Sequence, residues 1–235
     1  MREPIRKKIN QTIYQIYLDI ERVKFPINPA DAIAMFPNCR IMTYEVLGKV
    51  SGKTHEEIIK VCESYDGCTK YSPATGRYLI LINDSSRNSR CSERVRWTTA
   101  HELGHIVCGH FGELSGVQSG EIQSSDINSV EMEEEADFFA SSLLAPLPAL
   151  CKVGVKDVQD IKRGFGLSQT AAEHRWAELN RYLQKSTGEI FGQKPNLWGL
   201  FRERAIACPI PYHFSRTPKI PQRKPIDISF PGADL

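Results

Sequence analysis

The run Trp97 to His105 contains His101-Glu102-Leu103-Gly104-His105, and no other feature constrains the chain as much, because the spacing H-E-x-x-H has chemical use only on a helix. Four residues advance a helix by about 400°, so His101 and His105 lie one turn apart on one face and can reach the same metal ion. They would be two zinc ligands. Glu102 lies about 100° round from His101. That is too far for a comfortable third ligand but well placed to take a proton from water at the metal, so Glu102 is the candidate general base.

Two histidines need a third protein ligand, and its position sorts the zinc peptidases. The metzincin pattern requires Gly seven and His ten positions after the first ligand; Cys108 and Phe111 stand there, with Gly109 and His110 one residue out of place. That class is excluded. Further along, Val130 to Pro146 reads as a second helix, opened by the capping candidates Asn128 and Ser129 and stopped by Pro146. Ala136, Ala140, Leu143 and Leu144 define its buried stripe, and one turn back along it stand Glu133 and Asp137. Carboxylates on an apolar stripe cost several kcal/mol each unless a cation compensates them. Zinc would be that cation. Glu133 would be the third ligand, and Asp137 would bond the free ring nitrogen of a ligating histidine and fix its tautomer. Glu134 and Glu135 read as solvated acids of the first turn; Glu134 as ligand, three residues before Asp137, fits the stripe less well.

Together these residues resemble the ImmA/IrrE family of metallopeptidases, with its Arg and aromatic before T-x-A-H-E-x-G-H and then E-x-E-A-[ND]-x-F-A-x-x-L-L-x-P. The matching positions are Arg96, Trp97, Thr98, Ala100, His101, Glu102, Gly104 and His105, then Glu133, Glu135, Ala136, Asp137, Phe139, Ala140, Leu143, Leu144 and Pro146. Gly166 to Trp176 is similar to the family's following helix. The resemblance spans roughly residues 10 to 183. It implies an α+β, zincin-like fold of gluzincin type, with the H-E-x-x-H helix, a second ligand helix and a small β-sheet, and it implies zinc endopeptidase activity. Asp137 stands where Asn is commoner, a departure that favours its histidine-orienting role.

At 235 residues the chain is long enough for one domain with a real core plus an extension. The boundaries expected are 1–185 for the peptidase-like domain and 186–235 for a proline-rich basic extension: this tail holds half of the 14 prolines, and from Phe191 seven Lys/Arg stand against three acids. Overall, 30 basic residues balance 28 acidic ones for a net charge of +2, which argues neither for nor against nucleic acid. No run of 18 apolar residues occurs, and Met1 to Lys8 leads into a charged amphipathic helix rather than a signal segment. The expectations are a cytoplasmic protein, no direct nucleic-acid binding and no membrane partner. Seven scattered cysteines, with no C-x-x-C pair, argue against a disulfide framework or a second, structural zinc. Cys108 lies on the metal-facing side of its helix and reads as a small core residue.

Elsewhere, periodicity predicts a helix over about Gln11–Val23 and a short one after Asn28-Pro29. Thr54-His55-Glu56-Glu57 forms a capping box ahead of another. Thr69–Tyr71 and Tyr78–Ile82 read as a hairpin, and Tyr78–Ile82 is expected to offer an edge to an extended substrate. Gly48 to Thr54 imitates a phosphate loop but has three residues between its glycines where the cradle needs four, so it reads as a turn. Ser168 to Arg181 has no helix-turn-helix partner before it, and Arg175 is expected to support packing or the active site; His174 reads as structural or exposed. The Ser/Gly-rich stretch 112–128 joins the two metal helices and reads equally as a cleft rim or a solvated connector. Trp198, Leu200 and Phe201 are expected on a short docking helix.

Three protein ligands and one open position predict the chemistry. One zinc would depress the pKa of its water towards ~7 and polarise a peptide carbonyl, with Glu102 accepting the proton and returning it to the leaving amine. The oxyanion donor stays open among His110, Tyr71 and Arg175. By the family resemblance the substrate would be a specific protein partner, a helix-turn-helix repressor of a phage or mobile element. The competing expectation is a non-catalytic zinc-binding regulator or antitoxin-type protein. Glu102 separates the two, because a structural site has no need of a general base.

Overall fold

A computed structural model describes residues 3–20, 22–84, 92–111, 126–185 and 197–210. Helix α1 (Glu3–Asp19) is followed by the two-residue strand β1 (Val23–Lys24) and by α2 (Pro29–Ile33), where the Asn28 side chain accepts a hydrogen bond from the Ala30 amide at 3.2 Å. Strand β2 (Cys39–Thr43) turns directly into α3 (Tyr44–Ser51), because Thr43 caps the Val46 amide. In α4 (His55–Cys62) Thr54 and Glu57 complete the capping box in both directions, which satisfies two orphan amides. Gly48 to Ser51, read as a turn, are the last turn of α3.

Strands β3 (Gly67–Ser72) and β4 (Arg77–Ile82) form the expected antiparallel hairpin, with Thr69 opposite Ile80. The sheet order is β2-β4-β3, β2 running parallel to β4. Hence β4 is central and paired on both sides. The expectation that Tyr78–Ile82 offers an edge to substrate is overturned: among the described residues the edge strands are β2 and β3. Alternation along β4 serves two cores: Ile80 and Ile82 enter the main one, while Leu81 joins Tyr44, Ile58 and Cys62 under α3 and α4.

The main core is built on α5 (Ser92–Cys108) and α6 (Asp126–Leu144), which pack against each other and against the sheet and α1. Gly104 is where α5 and α6 meet: a Cβ there would stand 2.9 Å from the Ala136 carbonyl oxygen and 3.1 Å from the Phe139 Cβ. The absent side chain therefore sets how closely the helices approach. After α6 come α7 (Leu147–Val153), α8 (Val158–Phe165) and α9 (Gln169–Lys185). Arg175 of α9, 3% exposed, donates from Nε to the Ala145 carbonyl at 2.7 Å, and the Tyr17 hydroxyl donates to the Leu143 carbonyl at 2.5 Å. Both groups satisfy carbonyls that the end of α6 leaves without intrahelical donors. The stretch Val130–Val153 is long and apolar enough to cross a bilayer, yet 67% of its most apolar 18-residue window is buried inside the fold.

The last described segment belongs to this core. Helix α10 (Leu197–Glu203) buries Leu200 and Phe201, whose ring meets Tyr17 edge-on at 4.9 Å, and β5 (Ile206–Ala207) pairs in parallel with β1. The Arg204 guanidinium donates to the carbonyls of Tyr17, Leu18 and Ile20, closing the end of α1. Residues 197–210 of the proline-rich region thus complete the domain's core. Residues 186–196 and 211–235, and most of the connector read equally as a cleft rim or a solvated link (112–125), lie outside the described residues.

Candidate metal centre

Helix α5 presents His101 and His105 on one face, their Nε2 atoms 3.0 Å apart and their rings edge-on at 4.7 Å. Across the Gly104 contact, α6 brings Glu133 to them, with Oε2 3.1 Å from His101 Nε2 and Oε1 3.5 Å from His105 Nε2. Four residues on, Asp137 Oδ1 accepts from His101 Nδ1 at 2.9 Å. That bond holds a proton on Nδ1 and turns Nε2 towards the centre of the group. Ligand atoms about 2.0–2.2 Å from a tetrahedral zinc are separated by about 3.3 Å. The separations of 3.0, 3.1 and 3.5 Å and the two-nitrogen, one-carboxylate donor set therefore fit such an ion.

Glu102 projects to the side of this group, 9% exposed, where the Thr69 hydroxyl of β3 donates to its Oε2 at 2.8 Å. Burial raises its pKa above the ordinary carboxylate value, against the pull of Thr69 and of His101. Burial also opposes charge on His101, but its bonds to Asp137 and Glu133 outweigh this and push it up to about 9. His105, desolvated and beside a charged His101, is pushed down to about 4. Glu133 is held below the ordinary value, first by its bond to His101. These shifts favour positive charge on His101, between two carboxylates, and a neutral His105.

The structure brings His101, His105 and Glu133 together, places Asp137 on His101 and sets Glu102 beside them. Their surroundings differ from the sequence reading. Glu133 and Asp137 do not face the core: their side chains are 62% and 56% exposed at the edge of the α5–α6 seam. Glu135, read as a solvated acid, is the fully buried one. The buried stripe passes through Phe139 as well as Ala136 and Ala140, and four residues before Phe139 stands Glu135. Its carboxylate meets His110 Nε2 at 3.1 Å, and His110 Nδ1 lies 2.8 Å from His105 Nδ1. Cys108 is buried, as expected, next to this pair.

Sequence reasoning missed the roles of three groups. Thr69 leaves no signal, being one threonine of a strand; Glu135 could have been found by counting back from Phe139, and His110 only from the chain's turn after α5. Of the oxyanion candidates, Arg175 is committed to Ala145 and Glu178, His110 lies behind His105, and Tyr71 stacks on Tyr78 at 4.7 Å. A cleft of about 750 Å³ opens beside Asp137, lined by Trp97, Phe138, Ala171 and His174. A slightly larger hollow, about 800 Å³, lies by Arg6, Tyr14 and Pro146 and touches none of the metal-site residues.

Residues 59–177 match the family model described as the IrrE N-terminal-like domain, Peptidase_M78. The matched span runs from within α4 into α9 and includes both helices of the site. No curated protein matches the chain.

Proposed function

The chain belongs to the ImmA/IrrE family of metallopeptidases, and on that premise we propose that it is a zinc endopeptidase cutting one peptide bond in a specific protein partner. In this reading the fold is zincin-like of gluzincin type, one zinc is held by His101, His105 and Glu133, Glu102 is the general base, and Asp137 orients His101. The observation that carries it is the convergence of three ligand atoms beside a buried carboxylate bonded to Thr69.

Zinc bound there supplies a lowered pKa for water and polarisation of a carbonyl. The protein's own groups do the rest. Thr69 fixes one oxygen of Glu102 and leaves the other to take the proton as water adds to the carbonyl carbon. The raised pKa brings Glu102 closer to the range in which a base both accepts a proton and gives it back, here to the leaving amine. The open side of β3, which carries Thr69, can accept an extended segment by main-chain bonds and would deliver it alongside Glu102. The family resemblance supports a helix-turn-helix repressor as the partner. The test is incubation of the zinc-loaded chain with the repressor encoded beside it: two fragments, and none after a chelator, are expected, whereas an intact repressor under both conditions overturns the reading in favour of a binding protein.

Two substitutions probe the ligand set. Glu133→Ala removes the carboxylate ligand, and metal analysis after dialysis should find one zinc per wild-type chain and far less in the variant; full retention would assign the third ligand elsewhere, with Glu134 the nearest candidate. Asp137→Ala should weaken zinc affinity by about 10-fold to 100-fold, while Asp137→Asn, whose amide oxygen accepts the same bond from Nδ1, should keep most of it. Equal losses in the two variants, measured by chelator competition, would show that the hydrogen bond is not what Asp137 supplies.

A further inference from the structure

Behind His105 the chain makes a turn that the chemistry so far does not use. Gly109 follows α5 with φ +84°, a left-handed conformation that glycine adopts without strain, and this swings His110 back so that its amide bonds the His105 carbonyl at 3.1 Å. The His110 ring, 4% exposed, then lies between the His105 ring and the fully buried Glu135. A carboxylate taken into a core costs several kcal/mol if it lacks a good partner. Glu135 is placed there on the same helix as Glu133 and is bonded to a histidine that touches a candidate ligand.

The order of protons follows from the two distances. Glu135 accepts, so the proton of His110 sits on Nε2, at 3.1 Å from Oε2. In a neutral His110, Nδ1 is then a bare lone pair, and the nitrogen 2.8 Å away is the donor, His105 Nδ1–H. His105 Nε2 is left without a proton, facing His101 Nε2 and Glu133. We propose that Glu135 and His110 form a buried relay that fixes the tautomer and ring orientation of His105, as Asp137 does directly for His101. His110 and Glu135 are positioning residues, and the inference rests on the reading of His105 as a metal ligand. The site's two histidines are thereby oriented by different means, one by an exposed carboxylate and one through a second histidine anchored in the core.

The relay is tested first by long-range proton–nitrogen NMR of the histidines, with and without zinc, in the full chain. Wild type should show His110 protonated on Nε2 and His105 on Nδ1, and in Glu135→Ala the His110 proton should spread to Nδ1. Chelator competition gives the second readout: His110→Phe and Glu135→Ala should bind zinc about 10-fold to 100-fold more weakly, whereas Glu135→Gln, whose amide oxygen can accept from Nε2–H, should stay within a few-fold of wild type. If Glu135→Ala does not fold, the wild-type spectrum and Glu135→Gln still decide. A wild-type His110 carrying its proton on Nδ1, or His110→Phe with unchanged zinc affinity, overturns the relay. So does a second zinc per chain, because Cys108, His110 and Glu135 lie close enough to hold one instead. A wild-type chain that binds no zinc overturns the metal-site reading alone, while the relay still stands or falls on its tautomers.

Discussion

Glu102→Gln should leave the protein folded and zinc-loaded and lower its cleavage rate by about 10²-fold to 10⁴-fold, the range expected for loss of a positioned acid–base group. The substitution conserves size and the acceptor oxygen that Thr69 holds at 2.8 Å, so neither the β3–α5 contact nor the ligand set should change. What disappears is the ability to take a proton. The same variant should bind its substrate without releasing it cut, which makes it a trap for the partner in pull-down. Cleavage by Glu102→Gln at near the wild-type rate, with zinc content equal, would remove Glu102 from the chemistry.

Gly104→Val should cost about 3 kcal/mol of stability, the upper part of the usual range for overpacking a filled core, and should weaken zinc binding with it. Even a single added carbon meets the Ala136 backbone at 2.9 Å and 3.0 Å, and backbone cannot swing aside as a side chain does. The helices must separate, and His101 and His105 ride on one while Glu133 and Asp137 ride on the other. Helix propensity does not explain such a loss, since ordinary residues differ by no more than about 0.7 kcal/mol and glycine is itself the poor helix former. Urea denaturation and chelator competition together read both effects. An unfolding free energy within about 0.5 kcal/mol of wild type, with zinc affinity intact, would mean that α5 and α6 do not meet through Gly104.

Spacing made the two site helices legible, because i, i+4 histidines and the acids at 133 and 137 repeat at helical period whatever the rest of the chain does. Periodicity tells which residues share a face but not what that face meets. The stripe drawn through Ala136, Ala140, Leu143 and Leu144 assigned Glu133 and Asp137 to the core, whereas they flank the seam with α5 and open outwards. Phe139, fully buried, shifts the true stripe towards Glu135. The hairpin was legible from its turn residues and alternation. Its place in the sheet was not, because the parallel pairing of β2 with β4 is a long-range event with no local signature, and it closed the side of β4 that a lone hairpin leaves open. Thr69 and the Arg175 and Arg204 caps are likewise products of tertiary approach. Within the proline-rich tail, the apolar residues of α10 signalled docking, but nothing local announced that Arg204 would finish a helix near the other end of the chain.

That last contact sets an order of events during synthesis. The carbonyls of Tyr17, Leu18 and Ile20 wait for a guanidinium 184 to 187 positions later, and Val23 waits for Ile206. At 5–20 residues per second, the interval between translation of Glu133 and of Ile210 is roughly 4–15 s. For that time a growing chain carries all the metal-binding groups without the segment that closes the core around α1. The protein therefore gains its ligands early and its final rigidity late, so a truncated copy ending before Leu197 carries the H-E-x-x-H chemistry on an unfinished frame.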